Sequence, residues 1–100
     1  MVKNKFSLTM ESRSSNESFI RATISAFALQ LDPTLEEISD IKTAVSEAVT
    51  NSIVHAYNNG IGKIYISAEL VEPNSIKIKI RDKGCGIENI EKAMEPLYTT

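Results

Sequence analysis

The sequence lacks the features of three kinds of protein. Its single cysteine, Cys85, cannot form an internal disulfide, and with no second cysteine a buried apolar role is favoured over a redox or nucleophilic one. No apolar run approaches the roughly 20 residues that span a bilayer. The N-terminus shows no signal-peptide pattern. These absences predict a protein of the reducing cytoplasm, with no membrane partner.

An excess of charge of one sign is also missing. Eleven basic and thirteen acidic residues give a net charge of −2, and no block of Lys or Arg occurs. Such a chain does not attract a polyanion over long range, so nucleic acid is not an expected partner. With 42% hydrophobic residues over 100 positions, and no repeat or linker, one small domain covering residues 1–100 is expected.

Two helices are predicted in the first half of the chain. Alternation over residues 5–10 predicts a strand with Phe6, Leu8 and Met10 on one face. Ser14 and Glu17 have the spacing of a capping box, which predicts a helix to about Leu31. Thr34 and Glu37 repeat that spacing and predict a helix from about Leu35 to Tyr57. The apolar positions at helical spacing are Ile20, Ile24, Phe27 and Leu31 in the first helix and Ile38, Ile41, Val45, Val49, Ser52 and Ala56 in the second.

A hairpin and a glycine loop are predicted in the second half. Alternating residues over 63–70 and 76–81 predict two strands joined by a turn over 72–75. The glycine loop 82–87 follows, and a short charged helix is predicted to reach Met94. The expected fold class is α+β: a two-layer sandwich with helices on one face of a mixed, mostly antiparallel sheet.

A row of polar residues on the second helix is the first candidate site. Four residues rotate a helix by 400°, so Glu47, Asn51 and His55 lie on one flank. A solvated polar flank is one interpretation. The other is functional: the Asn51 oxygen would suit Mg²⁺, and Glu47 would accept a proton during phosphoryl transfer. His55 is ambiguous, and a structural role is favoured.

Asp82 is the second candidate. Counting by twos from Ile76 through Ile80 places Asp82 toward the apolar layer, where a carboxylate requires a partner. A ligand amino group such as the adenine N6 amine would satisfy it, and Gly84 and Gly86 would let backbone approach a flat ring. The alternative is an Asx-type turn in which Asp82 binds backbone amides.

The two candidate sites together resemble a known family. "EAVTNSIVHAY" and "RDKGCGI" are similar to the N box and first glycine box of the ATP-binding domain shared by gyrase, Hsp90, sensor histidine kinases and MutL. Within that superfamily, the segment 12–59 and "AMEPLYTT" resemble the sporulation anti-sigma F factors, which are serine kinases. The likeness covers essentially all 100 residues and implies the Bergerat-type ATP-binding fold.

The resemblance implies a role for each site residue. Glu47 would be the general base, Asn51 the Mg²⁺ ligand and Asp82 the acceptor for the adenine amine of ATP or ADP. Gly84 and Gly86 would shape the base pocket, and Thr50 and His55 would line the nucleotide site. Arg21 would lie on the partner-binding surface, although the sequence alone favours a solvated arginine there.

The resemblance also implies partners. A homodimer would hold a sporulation sigma factor inactive and phosphorylate a serine of an anti-anti-sigma antagonist. The family continues past "PLYTT" into an ATP lid with a second glycine-rich box, so the 100 residues are expected to stop before the main cradle for the phosphates. The competing hypotheses are another ATPase or sensor kinase of the superfamily and a non-catalytic partner-binding module.

Overall fold

Two helices pack on one face of a four-stranded sheet in the computed structural model, which describes residues 1–56, 60–83 and 87–94, with backbone alone at 55, 56 and 87. This arrangement confirms the α+β class. No helix within these ranges has the length and apolar content needed to cross a bilayer. The elements in chain order are β1 (Val2–Glu11), α1 (Glu17–Ala28), α2 (Leu35–Asn51), β2 (Lys63–Val71), β3 (Ser75–Arg81) and β4 (Ile87–Ala93).

The sheet is a meander in the order β1-β2-β3-β4. All three pairings among these strands are antiparallel, so the described sheet contains no parallel pair of the kind that a mixed sheet would have. Leu8 pairs with Ile66, and Ile66 pairs with Ile80. Because directly opposed residues point to the same face of a sheet, this register collects the aliphatic side chains of neighbouring strands into one layer.

The core lies between that layer and the helices. Alternate residues of β3 are buried, whereas Lys77 and Lys79 between them are exposed on the outer face. Burying a large aliphatic side chain contributes roughly 1.5–3 kcal/mol, so this core makes a large favourable contribution to folding. The buried positions that the sequence predicted are Ile20, Ile24, Leu31, Ile41, Val45, Val49, Ile64, Ile66, Ala68, Leu70, Ile76, Ile78 and Ile80.

The N-terminus of α2 confirms one predicted capping box. The Thr34 hydroxyl oxygen accepts from the Glu37 backbone amide at 3.1 Å, and the Glu37 carboxylate accepts from the Thr34 amide at 2.8 Å. Both bonds satisfy amides that have no partner within the helix. They begin α2 at the predicted residue.

The other predicted capping box, at Ser14 and Glu17, is wrong. A 3₁₀ turn over Ser14–Asn16 precedes α1, and no side chain caps the turn or the helix. Glu17 is therefore the first residue of α1 rather than the third. Its carboxylate instead accepts from the Ser46 hydroxyl of α2 at 2.5 Å. A contact between helices has replaced the local contact that the spacing predicts.

We expect Thr34→Ala to lower the free energy of unfolding by about 1 kcal/mol, the usual loss for an N-cap. Ser14→Ala is the matched control, because Ser14 has the same three-residue spacing to a glutamate but makes no cap bond. It should change stability by less than about 0.5 kcal/mol. Urea denaturation followed by circular dichroism measures both, and equal losses in the two variants would contradict the assignment.

The predicted short helix before Met94 is also wrong, because Ile87–Ala93 is strand β4. It pairs with β3 along its length, with Ile90 opposite Ile78. Antiparallel pairing satisfies the backbone of β3 and adds Ile90 to the edge of the core. Glu88 and Lys92 lie opposite Ile80 and Ile76, so they share the inner face. Lys92 Nζ lies 4.0 Å from Asp40 Oδ2 of α2.

Candidate functional site

The exposed flank of α2 carries three of the predicted site residues. Glu47 and Asn51 are one helical turn apart and both are exposed, as is Thr50 beside them. Val45 and Val49, on the opposite side of the same turns, are fully buried. The flank is therefore available to a ligand, and nothing in the burial pattern separates it from an ordinary solvated surface.

The regular row ends at Asn51. A π-helical turn follows over Ser52–Ala56, in which hydrogen bonds run from residue i to i+5. Such turns are rare in proteins overall, but those that occur are often at functional sites. His55 lies in this turn, and its side chain is outside the described part of the structure, as are Gly84, Cys85 and Gly86.

Asp82 points toward the apolar layer, as the parity of β3 predicts. It follows the last residue of β3 and is 7% exposed. The Ser52 hydroxyl donates to Asp82 Oδ2 at 2.6 Å, and Ser52 itself is 3% exposed. A short hydrogen bond to a carboxylate is among the stronger ones, and here it satisfies part of the demand created by burying Asp82.

This bond brings the two candidate sites together. Ser52 directly follows Asn51, and consecutive Cα atoms are about 3.8 Å apart. The carboxylate after β3 therefore lies against the C-terminal end of α2, next to the exposed amide. The sequence alone predicts no functional role for Ser52. The available signal was a small polar residue on an otherwise aliphatic stripe of the helix.

Arg21 belongs to a polar network that joins α1 to α2. Its Nη1 atom lies 3.2 Å from Glu17 Oε1 and 3.2 Å from Ser46 Oγ. The Ser46 hydroxyl also donates to Glu17, as described above. The Arg21 side chain is 40% exposed and the Glu17 side chain 20%. Arg21 is thus a partly exposed guanidinium held in place from both helices, rather than a freely solvated one.

The Arg21 network continues into a shallow groove that reaches Glu47. The groove has a volume of about 400 Å³ and is lined by Arg21, Lys42, Thr43, Ser46 and Glu47. Ser46 occupies the position before Glu47, so the network and the candidate base share one turn of α2. A partner that contacts Arg21 would therefore lie beside the Glu47 carboxylate.

The donor set of the site suits Mg²⁺ rather than a metal that needs a closed set of protein ligands. No cluster of three or more His, Cys, Asp or Glu side chains occurs among the residues that the structure describes. Asn51 offers a neutral oxygen at the surface, with the Glu47 carboxylate one turn away. Mg²⁺ prefers oxygen ligands, keeps several waters and is completed by nucleotide phosphates, so one or two protein ligands suffice.

Comparison with known proteins identifies the family of the chain. A family model described as a histidine kinase-like ATPase domain matches residues 10–99. The anti-sigma F factor of Clostridium acetobutylicum is 56% identical over 100 residues, which cover all of this chain and 69% of the relative. That of Caldanaerobacter subterraneus subsp. tengcongensis is 60% identical over 97 residues, covering 97% and 67%. That of Priestia megaterium is 50% identical over 100 residues, covering 99% and 68%.

The family match spans nearly the whole chain, and each relative is aligned over more than nine-tenths of it. Matches of this extent and identity include both motif segments of the sequence, α2 with its polar flank and the loop after β3. The chain therefore belongs to the histidine kinase-like ATPase domain family and, within it, to the anti-sigma F factors.

Proposed function

We propose that this anti-sigma factor binds Mg·ATP where α2 meets the end of β3, holds a sporulation sigma factor inactive in the cytoplasm, and phosphorylates a serine of its anti-anti-sigma antagonist. The observation that carries the proposal is the Ser52–Asp82 hydrogen bond. It joins the two segments that bear the nucleotide-binding motifs. Membership of an ATPase domain family supports the nucleotide, and the names of the relatives support the sigma factor.

The base end of the nucleotide would lie at Asp82. A buried carboxylate accepts from the adenine amine and disfavours a base that presents an oxygen at the same position. Gly84 and Gly86 would shape the surrounding pocket. Thr50 and His55 would line the path toward the phosphates, and Thr50 is exposed on the same flank as Asn51.

The phosphate end would lie along the flank of α2. Asn51 would hold the Mg²⁺ ion, which when bound offsets the negative charge of the phosphates. Glu47 would accept the proton of the partner's serine hydroxyl. As that proton leaves, the serine oxygen would form a bond to the γ-phosphorus, and ADP would leave. An exposed carboxylate suits this role, because the attacking hydroxyl belongs to another protein and must reach it from solvent.

Arg21 would contact the protein partners. Its guanidinium is held by Glu17 and Ser46, so little side-chain freedom is lost on binding. The groove it shares with Glu47 would bring a bound antagonist beside the candidate base. We propose a homodimer as the working assembly, following the family resemblance of the sequence.

We expect Arg21→Ala to weaken retention of the sporulation sigma factor by roughly fivefold or more, the effect of losing about 1 kcal/mol at an interface. Arg13→Ala is the control, because Arg13 is also exposed and paired with a nearby glutamate, Glu11. Binding is measured by surface plasmon resonance with ATP present. Failure of the parent protein to bind any sporulation sigma factor would contradict the proposed function and favour a sensor-kinase ATPase.

A further inference from the structure

The Ser52–Asp82 pair has features beyond those needed to satisfy a buried carboxylate. The donor and acceptor are 2.6 Å apart, both residues are less than a tenth exposed, and they come from different elements. A hydroxyl donating to a carboxylate at this distance is a charge-assisted bond with a defined direction. Ser52 therefore helps to fix where one oxygen of Asp82 lies.

Fixing one oxygen orients the whole group. A carboxylate offers about four acceptor directions, and the Ser52 hydroxyl occupies one of them. Because the carboxylate is planar and rigid, the other directions are then set relative to α2. A ligand amine meeting Asp82 would find an acceptor already in place and would not have to order it.

We infer that Ser52 is a positioning residue for recognition of the purine base. It would hold Asp82 in the orientation that accepts the exocyclic amine of adenine, and so contribute to selection of amino-purine nucleotides. The inference rests on the proposed function, since it assigns Asp82 to the base. Ser52 would not contact the ligand itself and would act on it only through the Asp82 carboxylate.

A purely structural role explains the pair less well. Replacing both partners of a buried hydrogen bond by apolar groups of similar shape is often nearly neutral for stability. Ser52 continues the buried stripe of Val45 and Val49, where an aliphatic side chain would serve packing equally well. A polar pair occupies this position beside Asn51, at the junction between the two motif segments.

Nucleotide selectivity tests the inference. ATP and purine riboside 5′-triphosphate differ only in the exocyclic amine, so the ratio of their dissociation constants reports the contact to Asp82. We expect Ser52→Ala in the full-length protein with Mg²⁺ to weaken ATP binding about tenfold, the equivalent of roughly 1.4 kcal/mol. Binding of the amine-free analogue should change less than about twofold.

Ser25→Ala is the matched control. Ser25 is also buried, but its hydroxyl donates to the backbone carbonyl of Arg21 at 2.7 Å within α1. This variant should leave the ratio unchanged. Should Ser52→Ala fail to fold, Ser52→Cys keeps the size of the side chain with a weaker donor. In that variant the dissociation constant of the amine-free analogue divided by that of ATP should fall at least about threefold.

The outcomes separate the two proposals. Equal weakening of both nucleotides, or no change in either, would overturn the role of Ser52 while leaving nucleotide binding intact. Failure of the parent protein to bind ATP would overturn the proposed function, and the role of Ser52 with it. Loss of the preference for ATP in Ser52→Ala alone would support both.

Discussion

Glu47→Ala should reduce phosphate transfer to the antagonist by 10²- to 10⁴-fold, the range for removal of a general base. Glu47 is exposed on α2 and lines the groove with Arg21, where a partner's hydroxyl can reach it. Its carboxylate would act on the attacking hydroxyl rather than on the nucleotide, so Mg·ATP affinity should change by less than about twofold. Single-turnover transfer from radiolabelled ATP measures the rate, and titration calorimetry measures the binding.

Glu36→Ala is the control for Glu47. Glu36 is an exposed glutamate in the first turn of the same helix, about 16 Å away along the axis at 1.5 Å per residue. It should transfer phosphate at the parental rate. Parental transfer by Glu47→Ala would remove the assignment of a base. A parallel fall in transfer and in Mg·ATP binding would assign Glu47 to binding instead.

Asn51→Ala should weaken Mg·ATP binding by at least 10- to 100-fold. Loss of an outer-shell partner already weakens metal affinity by about that factor, and Asn51 would be a direct ligand. In EDTA the variant and the parent should bind ATP alike, because the lost contact is to the ion. Titration calorimetry with and without Mg²⁺ gives the two ratios.

Asn89→Ala is the control for Asn51. Asn89 is an exposed asparagine on β4, opposite Lys79 and so on the outer face of the sheet, turned away from the helices. It should not alter binding in either condition. If Asn51→Ala binds Mg·ATP as tightly as the parent, the metal assignment is wrong.

Hydrophobic periodicity predicted most of the fold, because most of the strands and helices are long enough to repeat their pattern several times. The three alternating isoleucines of β3 are all buried, and α2 begins at its predicted cap. The prediction of a helix at β4 is wrong for the opposite reason. Ile87, Ile90 and Met94 are spaced by three and four, which is typical of a helix, but the segment is short. Pairing with β3 decides its structure, and that contact is not visible in a local pattern.

The candidate site was also predictable only in part. Parity placed Asp82 inward, and the helical stripe independently placed Ser52 inward. Neither pattern states which end of α2 meets which end of β3, because that depends on how the layers pack. The Ser52–Asp82 bond and the Arg21–Glu17–Ser46 network are both contacts between elements, and therefore needed the structure. The roles of Glu47 and Asn51 remain predictions.

The outer strands of the described sheet are poor templates for aggregation. A strand added beside β4 would enclose Glu88 and Lys92, because both point to the inner face. At the opposite edge, β1 has an irregular register between Val2 and Asn4, followed by Lys5. Inward charges, bulges and edge lysines each discourage a second molecule from extending the sheet. Edge-to-edge pairing of the described strands is therefore disfavoured, and a dimer of the kind proposed above would form through faces rather than through these edges.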